Sequence, residues 1–552
     1  MKRFAAIFAL FLCVCLPLAA QPKYEVRAVW LTTIGGIDWP HSYARTAQGV
    51  ERQKQELRDI LDRLQRANIN TVLLQTRIRG TVIYPSALEP WDGCLSGNPG
   101  QSPGYDALAF AIDECHRRGM ELHAWVVTIP VGKWQGTGCS RLRRRLPKLI
   151  SKIGADGYMN PERRETADYL ADLCEEIVSG YDVDGIHLDY IRYPETWPVK
   201  VSRAVGREYI TRIVRTVSQR VKQRKPWVKM SCSPVGKHDD LPRYSSRGWN
   251  ARQAVCQDAQ AWLREGLMDE LFPMMYFRGD NFYPFAFDWQ EQSAGRIVVP
   301  GLGIYFMSPR EKNWPLTDIT REMEVLRSSG MGQAYFRSKF LTDDTKGIYR
   351  FATTQFYRYP ALVPPMTWAS TKAVGAPTEL RRSADGASML SWTPAGGTVG
   401  DGQIYYNVYA SRRWPVDTED ARCLLLPRTA RTSIPLPADR ELYYAVTATD
   451  RYGTESAACQ EQGPVGDVAQ QASAPAFLPC DGQRLTLPDK PSTLDADYAT
   501  IETLQGTVVR VVSYSGSPVD VSRLEEGIYI VRSLGKKGRT HRLGHFEVRR
   551  SF

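Results

Sequence analysis

The sequence predicts an α/β chain: a closed (β/α)8 TIM barrel first, then two small β-sandwich modules. Three observations predict it. Eight short apolar runs recur between Val26 and Arg337, amphipathic helical patterns lie between them, and the texture changes abruptly after Phe351. Continuous apolar strands joined by helical crossovers mean a parallel sheet, and eight repeats fit a closed ring better than an open doubly wound sheet.

The runs are VRAVWLT at Val26, TVLLQTR at Thr71, ELHAWVV at Glu121, DGIHLDY at Asp184, VKMSCSP at Val228, ELFPMMYF at Glu270, RIVVPGLGIY at Arg296 and GQAYFR at Gly332. Segments such as QKQELRDILDRLQRA and REYITRIVRTVSQRVKQR place apolar residues at intervals of three and four, the period of a helix with one buried face. No glycine-rich phosphate loop follows the first run, which removes the usual support for a dinucleotide fold.

Residues 1–20 read as a secretory signal peptide: Lys2 and Arg3, an apolar run from Phe4 to Leu18, then Ala19-Ala20. The mature chain is therefore expected outside the cytoplasm, in the periplasm or at the cell surface, associated with the envelope. No later run is long and apolar enough for a transmembrane segment. The barrel is expected over 24–368, with prolines at Tyr359 to Pro365 marking a boundary that few contacts cross. A β-sandwich follows over 374–461, then a Gln-, Ala- and Pro-rich linker at 462–490 and a last β-module at 491–552.

The barrel reading gives YDVDGIHLDYIRYP, Tyr181 to Pro194, a special place. Ile186 and Leu188 share the parity that packs under helices, while His187 and Asp189 share the other, so the strand delivers a carboxylate to the C-terminal mouth, where barrels of this kind hold their chemistry. Burying that charge is costly unless something pairs with it or uses it. The structural alternative is an ion pair with Arg192. Strand ends also bring Trp39, Gln75, Arg79, Tyr84, His123, Trp125, His187, Arg192, Tyr193, Tyr276, Tyr305 and Arg337 toward the mouth. Aromatic faces cover the apolar side of a sugar ring while Arg, His and Gln reach its hydroxyls, so a polysaccharide is the expected partner. For each of these residues, Asp189 apart, packing in the core is the competing reading.

Composition agrees. Aromatic residues make up 11% of the 552, with 14 Trp and 27 Tyr. The formal net charge is +11, but Lys and Arg are scattered, so a nucleic-acid partner is not expected. The nearest basic cluster, RLRRRLPKLISK from Arg141 to Lys152, reads as a solvated loop or helix face, with a polyanion site as the alternative. Of 11 cysteines nine follow the signal; Cys94 with Cys139 and Cys423 with Cys459 lie in loop-like stretches where a disulfide is plausible. No metal-ligand spacing occurs, and neither metal nor cofactor is expected.

Taken together, EVRAVWLTT with IDWP, TVLLQTRIRGTVIYPSALEPW, PGYDALAFAIDECHRRGMELHAW, YMNPERRETADYLADLCEEIVSGYDVDGIHLDYIRYP and PMMYF resemble the glycosyl hydrolase-like 10 family over about residues 24–350. That resemblance implies a glycosidase barrel cleaving polysaccharide, in some members the peptide-free glycan strands of peptidoglycan, with the strand-four acid on Asp189 and the preceding histidine on His187. The chain departs from the family pattern at Tyr190, where many members carry a second Asp, at Val127-Thr128 in place of Asn-Pro, and at Met274 in place of Gln. Trp392, the strand Tyr405 to Ser411 and Tyr443 to Gly453 resemble a fibronectin type III domain. GIYIV followed by a basic ending resembles the C-terminal sorting domain of type IX secretion.

Glycoside hydrolysis needs two carboxyl groups. Asp189 is one, and Asp280, just past the sixth strand, is the first candidate for the other; Asp38, Glu195 and Asp239 follow. A rival reading keeps the barrel without turnover, as an exported glycan-binding protein.

Overall fold

The computed structural model describes residues 21–244, 248–383, 389–395, 401–436, 442–461, 477–490, 496–503, 508–515, 517–535 and 540–548, so the expected signal peptide lies outside the described residues. Each of the eight apolar runs contains a parallel strand. In order these are β1 (Arg27–Leu31), α1 (Ala47–Arg66), β2 (Thr71–Ile78), α2 (Ala107–His116), β3 (Glu121–Val127), α3 (Arg164–Gly180), β4 (Gly185–Asp189), α4 (Arg203–Arg224) and β5 (Lys229–Cys232). Then come α5 (Ala259–Arg264), β6 (Glu270–Leu271), α6 (Tyr283–Glu291), β7 (Ile297–Val298 and Gly301–Leu302), α7 (Leu316–Ser328) and β8 (Gln333–Tyr335).

The ring closes twice over. β8 lies beside β1, with Arg27 opposite Gln333 and Val29 opposite Tyr335. The two halves of β7 act as one strand: the first pairs with β6, the second with β8, and the amides of Val299 and Gly301 donate to Leu271 O and Pro273 O, both at 2.8 Å. Pro300, which has no N–H, marks the break. Side chains alternate as the period of two demands. Leu74, Ile186 and Leu188 face the helices, while Trp30, Leu73, Trp125, Phe272 and Val299 fill the barrel. Gly301 is required here, since a Cβ would meet the Trp30 ring at 2.8 Å. The two longest helices start on side-chain caps, Thr46 accepting from Gly49 N in α1 and Ser202 from Val205 N in α4.

One irregularity escapes the alternating pattern. The pairing of β2 with β3 slips between Gln75 and Arg77, a bulge that turns Arg77 outward. Its buried guanidinium pairs with Glu89 through Nη2 at 2.6 Å and Nε at 2.9 and 3.0 Å, and caps Val127 O and Thr128 O at the exit of β3. After β3 the chain also builds an unforeseen insertion. Its helix, Thr137–Arg145, and three antiparallel strands, Pro130–Lys133, Ile150–Ile153 and Asp156–Met159, absorb the basic run 141–152.

Two sheets follow the barrel. One joins β9 (Thr378–Arg382), β10 (Met389–Thr393) and β13 (Ser433–Pro435); the other joins β12 (Leu424–Thr429), β11 (Tyr405–Ser411), β14 (Tyr443–Thr449) and β15 (Cys459–Gln460). Leu390, Trp392, Val408 and Val446 fill the space between them. The last module has its own core around Ala499, Val531 and Phe546, and Leu478, Leu485 and Leu487 belong to it. Residues 477–490 are thus part of that module rather than linker; 462–476 lie outside the described residues. The cysteine pairings are not made, for all nine described cysteines are free thiols. Cys423 and Cys459 flank opposite edges of the four-stranded sheet, about three strand spacings of ~4.8 Å apart, too far to bridge.

The boundary near Pro365 is crossed by more contacts than its composition suggests. Arg428, at the end of β12, forms an ion pair with the buried Asp184, which directly precedes β4, and donates to Met120 O at 3.2 Å. Arg451 pairs with Asp182 at 2.7 Å, Lys23 with Glu455 at 2.6 Å, and the Trp368 indole donates to Asp269 at 2.8 Å. Burial pushes the Asp184 carboxyl up, but Arg428 and His116 outweigh it and hold it well below the usual carboxylate range. A lowered carboxyl stabilises the fold fully above the unfolded value of about 3.9, and that contribution disappears as pH falls toward the folded value. Arg428→Ala should therefore cost about 3–5 kcal/mol at pH 7, the scale of breaking a buried ion pair, with a deficit that shrinks below about pH 4. Scanning calorimetry across pH checks it, and an unchanged melting temperature at pH 7 would show that the sandwich does not brace the barrel.

Candidate active site

Asp189 is the last residue of β4, and its position follows from the strand's alternation. Its neighbours fix it in place: the amide and hydroxyl of Thr128 donate to Asp189 O at 2.9 and 2.8 Å, tying the ends of β3 and β4 together. The carboxylate is buried. Oδ1 accepts from Tyr190 N at 2.7 Å and Ser233 Oγ at 2.9 Å, and Oδ2 accepts from the Trp125 indole at 3.1 Å. Burial raises its pKa, while Ser233, the nearby Arg192 charge, the Tyr190 amide and Trp125 pull the other way without prevailing.

Arg192 is not its ion-pair partner. That guanidinium lies 4.3 Å from the Tyr190 ring centroid, and its Nη2 pairs with Glu195 at 2.8 Å. Among the described residues Asp189 has only neutral hydrogen-bond donors. Tyr190 itself has φ 51°, a conformation uncommon for a bulky residue, and so aims its amide back at the carboxylate.

Aromatic rings surround the carboxylate. Trp125 touches it; Tyr276, whose pKa is raised first by burial and then by the Asp189 charge, packs edge-on to Tyr305 at 5.8 Å and lies 5.4 Å from Phe336. Phe336 in turn stands over Trp30 at 5.9 Å. Trp249, 47% exposed, lies 5.5 Å from Arg192. Gln75 faces inward, where its Oε1 accepts from the amides of Thr33 and Ile34 at 3.1 and 2.8 Å. Arg337 pairs with Asp38, whose other oxygen accepts from Thr32 N and Oγ1.

Several residues expected at the mouth belong elsewhere. Trp39 is buried beneath α1, donating to Gln53 O at 2.8 Å. Tyr84 donates to Glu176 on α3 at 2.9 Å, on the helix side of the sheet. Tyr193 is buried against Trp197 in the outer core. His123 sits near the N-terminal end of the barrel interior, 3.1 Å from Glu121 Oε2. His187 lies one inward position below Asp189: the Trp30 indole donates to its Nε2 at 3.2 Å, which leaves the proton on Nδ1 facing Ser231 Oγ at 3.0 Å. Burial, then His123, holds its pKa well below the usual value, so it is neutral. Arg79 is exposed on the turn after β2, with φ 59°. Asp280 is exposed on the turn Gly279–Asn281 and is not among the hydrogen-bond partners of Asp189.

Sequence reasoning under-read Tyr190, Ser233, Phe336 and Trp249. Ser233 and Phe336 carried a signal, since each extends the inward parity of its strand; Trp249 carried none, because it sits on an irregular loop. Among the described residues no three His, Cys, Asp or Glu side chains are grouped to hold a metal ion, and no helix is long and apolar enough to cross a membrane.

Glycosyl hydrolase YngK of Bacillus subtilis (strain 168) is 28% identical across 80% of this chain and 93% of its own length. Glycosyl hydrolase DigH of Escherichia coli (strain K12) is 30% identical across 47% of this chain and 66% of its own. Among solved structures, the endo-beta-1,4-mannanase from Thermotoga petrophila aligns with a TM-score of 0.40 at 10% identity, covering 96% of this chain and 99% of that one. The glycoside hydrolase domain of PgaB from Bordetella bronchiseptica aligns at 0.39 and 12%, covering 60% and 98%. The profile described as Glycosyl hydrolase-like 10 matches residues 25–205 and 203–301, or 277 of the 552. Because that matched half runs from β1 into β7 and includes the strand that ends at Asp189, the chain belongs to the glycosyl hydrolase-like 10 family.

Proposed function

We propose that the chain is an exported glycoside hydrolase acting on a polysaccharide, with peptide-free peptidoglycan glycan strands as the first substrate to try. The observation that carries the reading is Asp189: a buried carboxyl at the mouth of the barrel, held by three neutral donors and flanked by Trp125 and Tyr276. A structural aspartate so far from water would need a cation, and this one has no ion pair among the described residues. A raised pKa is what a proton donor to a leaving oxygen requires, and the same group can return as a base.

The second carboxyl is Asp280 on this reading. Asp38, Glu195 and Asp239 are each engaged, with Arg337, Arg192 and Arg252 respectively, whereas Asp280 forms no ion pair among the described residues and stands exposed just past β6. Trp125, Tyr276, Tyr305 and Arg337 serve as substrate contacts, with Gln75 presenting its Nε2. The apolar rings would lie against sugar faces and expel water from the scissile bond.

Asp189→Asn should lower turnover of denuded glycan strands at least about 100-fold, the scale of one acid–base contribution, with the melting temperature nearly unchanged. Reducing-end release and calorimetry on the same preparation check it. Wild-type turnover in the variant sinks the assignment, and glycan binding without turnover in the parent chain favours an exported binding protein instead. Asp280→Asn should give a loss of the same order if Asp280 is the partner.

The pH profile offers a separate check. Ser233 donates to the charged form of Asp189, so Ser233→Ala should move the limb belonging to Asp189 to higher pH and lower the maximum rate. A limb that stays in place would assign that ionisation to another group. Export predicts that the purified native protein begins near Gln21; an intact Met1 on cytosolic protein would refute it.

A further inference from the structure

Arg192 is almost wholly buried, and its Nη2 is held by Glu195 at 2.8 Å, while Nε and Nη1 meet no acceptor among the described residues. What the guanidinium offers its surroundings is therefore a flat face. It stands over the Tyr190 ring, 4.3 Å from the centroid, with Trp249 at 5.5 Å.

Tyr190 needs such a neighbour. At φ 51° its backbone lies in the left-handed region, which a bulky residue keeps only where its surroundings fix it. The chain on either side is anchored: Thr128 bonds Asp189 O through its amide and its hydroxyl, Gln257 donates to Ile191 O at 3.3 Å, and Tyr193 N donates to Val255 O at 3.1 Å. Between those anchors Tyr190 alone has a positive φ, and its amide is the donor that reaches Asp189 Oδ1 at 2.7 Å. With the ring free to leave, the turn would relax toward the right-handed or extended region and the amide would swing off the carboxylate.

We propose that Arg192 is a positioning residue for Asp189, acting through the ring of Tyr190: pinned by Glu195, it holds the left-handed turn that keeps the third donor on the carboxyl. This rests on the glycosidase reading only for what the carboxyl does. The charged and titratable groups facing Asp189 are Arg192 and Tyr190 on its own turn, Cys232 on β5 and Tyr276 beyond β6. Burial pushes the thiol and both phenols up, so Arg192 is the one of the four that is charged at neutral pH. Arg192→Lys separates clamp from charge, because it keeps the cation and loses the planar fork.

The test follows the titration of the Asp189 carboxyl by carbon-13 NMR on the full-length chain with labelled aspartate, the resonance being identified by its loss in Asp189→Asn. Losing a donor to the charged form raises a carboxyl's pKa, so Arg192→Lys should move the titration to higher pH by about 0.5 or more. Tyr190→Gly and Tyr190→Val both lose the ring, but only valine resists a positive φ, so the valine variant should titrate above the glycine variant. In the Tyr190→Gly background Arg192→Lys should then have no effect. Should Arg192→Lys fail to fold, Glu195→Ala loosens the clamp from a half-exposed position; removing that negative charge alone would lower the titration, so a rise there reads the clamp. A titration unmoved by Arg192→Lys, an equal shift in the Tyr190→Gly background, valine and glycine variants that titrate together, or a fall in Glu195→Ala overturns the proposal. On a glycan that the parent chain cleaves, Arg192→Lys should lower kcat and leave KM nearly unchanged. A parent chain that cleaves none sinks the hydrolase reading alone, since the titration still decides this one.

Discussion

The cost of keeping the Asp189 carboxyl out of water governs the mouth of the barrel. Three donors converge on its two oxygens, and each comes from a different place: the indole of Trp125 on β3, the hydroxyl of Ser233 beyond β5, and the amide of Tyr190 in a left-handed turn. None carries a charge. Neutral donors hold the group in one orientation but leave its ionisation uphill, which is why burial dominates its pKa. A lysine or arginine in hydrogen-bond contact would have stabilised the anion and taken away its capacity to hold a proton.

Much of the barrel was legible because its physics is repetitive. Apolar runs and helical periods placed all eight strands, and the parity of β4 sent His187 and Asp189 inward and Ile186 and Leu188 outward, as found. Depth along a strand was not legible. His123 and His187 share the inward parity of Trp125 and Asp189, yet sit lower in the barrel, where one is paired with Glu121 and the other fixed between Trp30 and Ser231. Beyond strand ends parity loses its meaning. Tyr84, Trp39 and Tyr193 follow turns whose geometry the sequence does not display, and all three fold back under helices. The bulge in β2 makes the same point within a strand, since one extra residue reverses the face of everything after it.

The sandwich was legible as a unit but not as a neighbour. The prolines before it marked a boundary expected to carry few contacts, whereas Arg428 and Arg451 reach into the N-terminal face of the barrel and engage Asp184 and Asp182. Nothing in a single sequence pairs an arginine with an aspartate 244 residues away. The result is that β4 is secured at both ends, through Asp184 by a salt bridge and through Asp189 by hydrogen bonds.

Gly301 bears on what the cleft could accommodate. Trp30 lies against that glycine and edge-on to Phe336, and the absent side chain is what leaves room for the indole in the interior. A cleft built this way has a floor that cannot be lowered by trimming β7, because nothing remains there to trim. Any larger ring would have to be admitted sideways, by loops such as the one that bears Trp249, so selection for new sugars would reshape the entrance long before it reached the interior.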